Sequence, residues 1–289
     1  MINYVRLEPI DYLVIGHITQ DITDDGIQLG GTATFSSLTA KAMGLRVGVV
    51  TSVNPSLDLS ILEGIHIYNI PSEQTTTFKN IYTPDGRIQF IYQQANLLNA
   101  THIPSIWLNT PIVHLGPVAQ EIDPNLPRIF PNAFIGLTPQ GWLRSWGESG
   151  RISNTDWVEA PYVLSKANAA VLSIEDIGGN ISVIDDMVSA IRILALTEAD
   201  KGVDIYWNGD IRHFSPPQVL EVDATGAGDI FAAIFFIHLK HTKNPWEAGR
   251  LANQIAALSV TRSRLDSIPT PDEINQLKIE IIKERSIES

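Results

Sequence analysis

Asp223-Ala-Thr-Gly-Ala-Gly-Asp229 is the stretch in which residue type and spacing offer chemistry. It joins an extended, Pro-containing segment beginning at Ser215-Pro-Pro217 to a strongly apolar helix read from about Ala227 to His241. Gly226, Ala227 and Gly228 are small enough for a ligand to approach the backbone. Their N–H groups fall where the first turn of a helix leaves donors unpaired, and the helix dipole adds partial positive charge. Such a site suits a phosphate in transfer. Asp229 follows in the first helical turn, and a carboxylate there accepts a proton from a substrate hydroxyl as that oxygen attacks phosphorus. A bare Gly-x-Gly-Asp reads as an ordinary helix start; the whole seven-residue string, late in the chain, favours function.

The elements that must position this string alternate. Tyr12-Leu-Val-Ile-Gly16 reads as a buried first strand. Gly30-Gly31 then precede a helix with Thr32 as N-cap, running to about Met43 with Gly44 at C′. Arg46 to Thr51 is a second buried strand, so the chain opens as a parallel α/β sheet. Thr75 to Tyr82 and Ile88 to Tyr92 are β-rich runs around a turn at Thr83-Pro-Asp-Gly-Arg87, which predicts an inserted hairpin. Ile112–Leu115, Ala133–Leu137, Ala169–Leu172 and Ile191–Leu196 read as further buried strands, spaced widely enough for crossover helices. Val203–Trp207 and Ile211–Phe214 flank Asn208-Gly209-Asp210, a hairpin turn. Helices follow from about Pro245 to Arg262 and over the amphipathic tail Pro271 to Ser289.

The string at 223–229 resembles the second signature of the ribokinase-like, or PfkB, carbohydrate kinase family, Asp-Thr-Thr-Gly-Ala-Gly-Asp, with Ala224 the one change. Gly30-Gly31 with its helix resembles the first signature, the Thr-rich hairpin resembles the lid, and Ala252-Asn253 to Arg262 resembles the adenine-side helix. The resemblance implies a three-layer α/β/α fold with a central, mostly parallel sheet. It implies one domain over 1–289, with a small inserted β lid at about 17–29 and 66–95. It further implies a kinase that takes ATP and Mg2+ and phosphorylates a hydroxyl of a small, neutral, polyhydroxylated substrate. By the same resemblance Asp229 is the base, and Gly226, Ala227 and Gly228 form the anion hole. Asp21, Gly30, Gly31 and Phe35 meet the substrate. Thr197, Gly202, Thr225 and Asn253 meet the nucleotide, and Asp176 holds the metal. The resemblance leaves open a monovalent-cation site near Asp223 and Thr225, and the exposed apolar face of the hairpin makes a homodimer through the lid the expectation.

Three departures stand out. Family members carry Asn-x-x-Glu before the phosphate region; here it is Ser173-Ile-Glu-Asp176. Asp176 holding magnesium through water and Ser173 simply capping a helix are both open, and Glu175 is a rival ligand. Thr-x-Gly-x-x-Gly becomes Thr197-Glu-Ala-Asp-Lys-Gly202, with Ala199 in the middle. Phe35 replaces an Asn that bonds the sugar in many members, which supplies a flat apolar wall and tilts the substrate towards a cyclic polyol such as an inositol, or a nucleoside. The Ser173/Asp176 and Ala199 changes keep a ligand-binding regulator without activity as a third reading.

Composition bounds the rest. The 289 residues carry 20 Lys+Arg against 32 Asp+Glu, a net charge of −12, which argues against a nucleic-acid face or a polybasic membrane anchor. No cysteine is present, so thiol chemistry and zinc-thiolate sites are excluded. The apolar run Ile230 to Ile237 is too short to span a bilayer, and a cytoplasmic protein is the expectation. The six Trp are dispersed rather than set among basic residues.

Overall fold

The computed structural model describes residues 7–83 and 86–278. Its frame is a nine-stranded sheet with a four-stranded sheet beside it. The chain runs β1 (Tyr12–Ile15), β2 (Thr19–Thr23), β3 (Gly26–Gly30), α1 (Thr32–Ala42), β4 (Val47–Val53), β5 (His66–Pro71), β6 (Thr77–Thr83) and β7 (Gly86–Gln93). It continues with β8 (Ile112–Leu115), β9 (Phe134–Leu137), β10 (Arg144–Trp146), β11 (Ile152–Asn154), α2 (Ala160–Leu164) and β12 (Ala169–Ser173). Then come α3 (Ser182–Ala190), β13 (Ile193–Thr197), β14 (Val203–Trp207), β15 (Asp210–Phe214), α4 (Ala227–Thr242) and α5 (Pro245–Ser259).

The large sheet has the order β15-β14-β13-β12-β9-β8-β1-β4-β5. Pairing is parallel from β13 through to β5, and β14 and β15 add an antiparallel edge. Central strands such as β1, β4, β8 and β9 are buried throughout, which is why they read as largely apolar runs, interrupted by Thr51 and Ser52 in β4 and by His114 in β8. Helices α1, α4 and α5 pack together over one face, and α2 and α3 cover the other. Helix α4 is apolar nearly all round because neighbours enclose it; Phe231, Phe235 and Phe236 are each buried, worth roughly 1.5–3 kcal/mol apiece. The β14–β15 turn puts Asn208 and Gly209 at φ 53° and 83°, the left-handed pair that a tight hairpin needs.

The small sheet, β3-β2-β6-β7, is formed by segments that the sequence reading assigns to a lid. Its extent differs from the sequence reading: His66–Pro71 joins the large sheet beside β4, so the second lid segment begins at Thr77. Residues 84 and 85 of the predicted turn lie outside the described residues. The tail is helical over 271–278, and its remaining residues likewise lie outside them.

Two expectations about local structure are corrected. The β8–β9 crossover contains a short 3-10 turn, Leu126–Ile129, in place of an α-helix. Pro124, Pro127 and Pro131 interrupt the helical hydrogen-bond ladder there. The N-cap of α1 is Gly31, at φ 83°, and Thr32 is the first helical residue, which turns its hydroxyl to another use. No helix among the described residues is long and apolar enough to cross a membrane.

Candidate active site

The C-terminal ends of β1, β8, β9 and β12 converge on the N-terminus of α4. Gly226, at φ 81°, caps that helix. A Cβ at this position would collide with the ring of Phe35, so glycine is demanded by backbone angle and by space alike. Ala227 N–H closes a turn onto Ala224 O at 3.2 Å, and Ile230 N–H opens the helical ladder on Gly226 O at 2.9 Å. The N–H groups of Gly228 and Asp229 therefore stand at the helix mouth. Gly228 is exposed, with open space where a Cβ would project.

Asp229 sits in this first turn, partly exposed. Burial pushes its carboxyl up to about 6; a hydrogen bond from Thr32 pulls it down, the charges of Asp176 and Asp21 raise it, and that of Arg144 lowers it. At neutral pH such a carboxyl is largely ionised yet more basic than an ordinary aspartate, which suits a general base. Ser36 Oγ, one turn after Thr32 on α1, donates to Asp229 O at 3.1 Å.

Asp21 on β2 leans over Gly30, where a Cβ would collide with its carboxylate. Gly31 approaches His17 O so closely that a Cβ would stand 2.7 Å from it. The charge of Asp21 in turn reaches Asp229, so the first signature lies beside the second.

Phe35 is the clearest revision. It is 2% exposed and lies beneath Gly226, so it supports the anion loop from below. The flat wall towards a substrate gives way to a packing role, because the α1 face that carries Phe35 is turned into the α4 interface.

Asp176 is held at both oxygens: Ser173 N–H donates to Oδ2 at 2.9 Å and Gln140 Nε2 to Oδ1 at 2.9 Å. Ser173 and Asp176 form a capping box, so the structural reading of that stretch is realised, while the charge of Asp176 still reaches Asp229. No cluster of three metal-ligating side chains occurs among the described residues.

The residues assigned to the nucleotide are spread along the edge near β13 to β15. Thr197 Oγ1 donates to Leu172 O at 3.4 Å. Gly202, at φ 107°, passes so close to Phe214 O that a side chain is excluded. Thr225 N–H is taken by Asp223 Oδ1 at 2.9 Å, and Arg264 N–H by Asp223 Oδ2 at 3.0 Å. Asn253 is 7% exposed and spends an amide N–H on Phe214 O at 2.9 Å. Phe214, Pro216, Arg250 and Asn253 line a cavity of about 390 Å³.

Sequence reading missed three participants. Thr32 was taken as a cap, although its place directly after Gly30-Gly31 put it at the site. Arg144 on β10 donates from Nη1 to Val118 O at 3.0 Å and lies 5.6 Å from the ring of Phe78 on the lid. Glu121 is fully buried and accepts from the N–H groups of His17, Val118 and Ala119 at 3.0, 3.0 and 2.7 Å, tying the segment after β1 to the one after β8. Neither lies in a motif, so no local signal marks them.

Known proteins resemble this chain in part of its sequence and in its fold. The description "pfkB family carbohydrate kinase" belongs to the family model that matches residues 169–272. A 93-residue stretch is 33% identical to an inositol 3-kinase of Zea mays, covering 32% of this chain and 24% of the relative. The chain thus matches about a quarter of that relative's length. A pyrophosphate-dependent kinase in the ribokinase family, complexed with a pyrophosphate analog and myo-inositol, superposes with a TM-score of 0.78 at 19% identity, over 92% of this chain and 99% of that one. This is the ribokinase fold. The ribokinase of Arabidopsis thaliana, complexed with ribose and ATP, gives 0.70 at 17% identity over 93% and 99% of the two chains. In the ribokinase fold of this chain, the sequence resemblance at 223–229 and the matched segment 169–272 coincide at the mouth of α4.

Proposed function

We propose that this protein is a carbohydrate or polyol kinase that transfers a phosphoryl group from ATP to a hydroxyl of a small, neutral, polyhydroxylated substrate, a sugar or a cyclic polyol such as an inositol. The observation that carries the reading is Asp229 in the first turn of α4, with its carboxyl raised to about 6 and gripped by α1, directly behind the small residues 226–228. The similarity to an inositol 3-kinase and to a kinase complexed with myo-inositol supports a cyclic polyol.

Asp229 accepts the proton of the attacking hydroxyl, and Thr32 holds the carboxylate in one orientation. The N–H groups at the helix mouth and the Arg144 guanidinium oppose the charge that spreads over the phosphoryl oxygens. Asp21 bonds substrate hydroxyls, and the lid over it excludes water. The donor set fits magnesium: Asp176 and Glu175 offer hard oxygen ligands at the end of β12, and each Asp176 oxygen, bonded to one N–H, keeps a lone pair for a water of the ion's shell. Magnesium, when bound, neutralises donor phosphate charge.

Pyrophosphate is a second donor reading, favoured by the likeness in fold to a pyrophosphate-dependent kinase complexed with a pyrophosphate analog. A homodimer through the lid is part of the proposal, since Ile27, Ile81 and Tyr92 are 60%, 40% and 58% exposed on its strands. We place the enzyme in the cytoplasm, with ATP, and apart from nucleic acid and membranes.

The test is a turnover and thermal-shift panel of inositols, hexoses, ribose and nucleosides, each with Mg-ATP and with Mg-pyrophosphate. Phosphorylation of a polyol or sugar is expected. Selective turnover of nucleosides moves the assignment to a nucleoside kinase, and binding without any turnover moves it to a regulator.

A further inference from the structure

Tyr12, His114 and Thr138 form a buried line of side-chain hydrogen bonds beneath the base. Tyr12 Oη is 2.9 Å from His114 Nδ1, and His114 Nε2 is 3.0 Å from Thr138 Oγ1. Tyr12 and His114 are 0% exposed and Thr138 is 7% exposed. Sheet register sets the direction of the line. Tyr12 pairs with Ile112, His114 lies two positions further along β8, and Thr138 directly follows β9. The line therefore climbs towards the strand ends where Asp229 stands.

Its upper end borders the base. A Cβ on Gly116 would collide with the Thr32 side chain and come within 3.2 Å of Thr138 Oγ1, so these two threonines flank the same gap. Thr32 is the residue that bonds the Asp229 carboxyl. Phe236, on the same helix as Asp229, packs edge-on against His114 with ring centroids 5.0 Å apart.

Proton positions follow from burial. An O–H buried without an acceptor costs more than an unused lone pair, so Tyr12 donates to His114 Nδ1. Burial also pushes the imidazole down to about 3, which keeps it neutral. A neutral ring that accepts at Nδ1 carries its proton on Nε2, and that N–H donates to Thr138 Oγ1. The proton of Thr138 is then left to point away from the ring.

We propose that Tyr12 and His114 are positioning residues that fix the polarity of Thr138, making its hydroxyl a hydrogen-bond donor at the catalytic edge beside Thr32 and Asp229. The acceptor is an oxygen of the substrate hydroxyl or of the phosphoryl group in transfer. This role rests on the kinase reading; the proton arrangement stands independently of it.

The experiment has two arms on the full-length protein. Long-range ¹H–¹⁵N spectra of the His114 ring are predicted to show the neutral Nε2–H tautomer; an Nδ1–H tautomer or an imidazolium at neutral pH overturns the proposal. Kinetics form the second arm. Tyr12→Phe and Thr138→Val each lower kcat about tenfold with KM within about twofold, and the double variant is no slower than Thr138→Val. Thr138→Ser restores most of the rate. An unchanged kcat in Tyr12→Phe, or additive losses in the double variant, overturns the role. If the wild type turns over no substrate with either donor, the kinase reading fails while the tautomer arm still decides the polarity.

Discussion

Ser36 Oγ donates to the main-chain carbonyl of Asp229 at 3.1 Å, across the interface between α1 and α4. Thr32, four residues earlier on the same face of α1, bonds the Asp229 carboxyl. One helix face thus holds the proposed base at both its backbone and its side chain. The first signature, Gly30-Gly31 and the helix after it, is tied through these bonds to the second.

Thr32→Val removes the bond that pulls the Asp229 carboxyl down. The carboxyl then rises above about 6, and the acid limb of the rate profile moves to higher pH. Maximal kcat falls roughly tenfold through lost orientation. A pH–rate profile of the variant checks both shifts, and an acid limb that stays in place removes Thr32 from this role.

Arg144→Gln acts with the same sign. The guanidinium lowers the Asp229 carboxyl, so its loss also moves the acid limb upward. Because the guanidinium also opposes charge on the phosphoryl oxygens, the variant is further expected to lose rate in both acceptor-dependent turnover and acceptor-free ATP hydrolysis. Comparing acceptor-dependent and acceptor-free phosphate release measures this.

The two glycines of the anion loop separate stability from activity. Gly226→Ala forces a Cβ into the Phe35 ring at positive φ, and is expected to cost about 2–4 kcal/mol, seen as a lower melting temperature. Gly228→Ala meets open space, so melting is unchanged while phosphate approach is blocked and kcat/KM falls. Equal melting losses in both variants would contradict this division.

Asp229→Asn is expected to stabilise the free protein at alkaline pH. The folded carboxyl is raised to about 6 from an unfolded value near 3.9. Its favourable contribution is therefore complete below about pH 4 and is lost as pH rises through about 6. Above that, removing the charge relieves on the order of 1–2 kcal/mol, less than the full shift because part of the carboxyl meets water. Melting curves of both proteins at pH 8 and pH 4 test this; the gap closes at the lower pH.

Much of the frame was legible because the signals are local. Buried parallel strands announce themselves as short apolar runs, as in Tyr12–Ile15 and Ile112–Leu115, and Asn208-Gly209 marks its hairpin by backbone angle. The Asp229 motif was legible because the chemistry needs small residues and a helix start in sequence. What escaped depends on contacts between distant residues. Phe35 looked like a substrate wall until Gly226 was placed on it. Arg144 and Glu121 act through contacts far along the chain. The strand His66–Pro71 left the expected lid because its parallel pairing with β4 is not encoded in its own alternation. The bond from Gln140 to Asp176 is likewise a contact between distant residues, and it leaves the metal and cap readings of Asp176 compatible.

The central claim is that Asp229 takes the proton from a substrate hydroxyl. The direct measurement is phosphorylation of the best panel substrate by wild type and Asp229→Asn, with donor binding followed by calorimetry on the same samples. Turnover is predicted to fall by about 10²–10⁴ while donor binding survives. Near-normal turnover by Asp229→Asn would contradict the account.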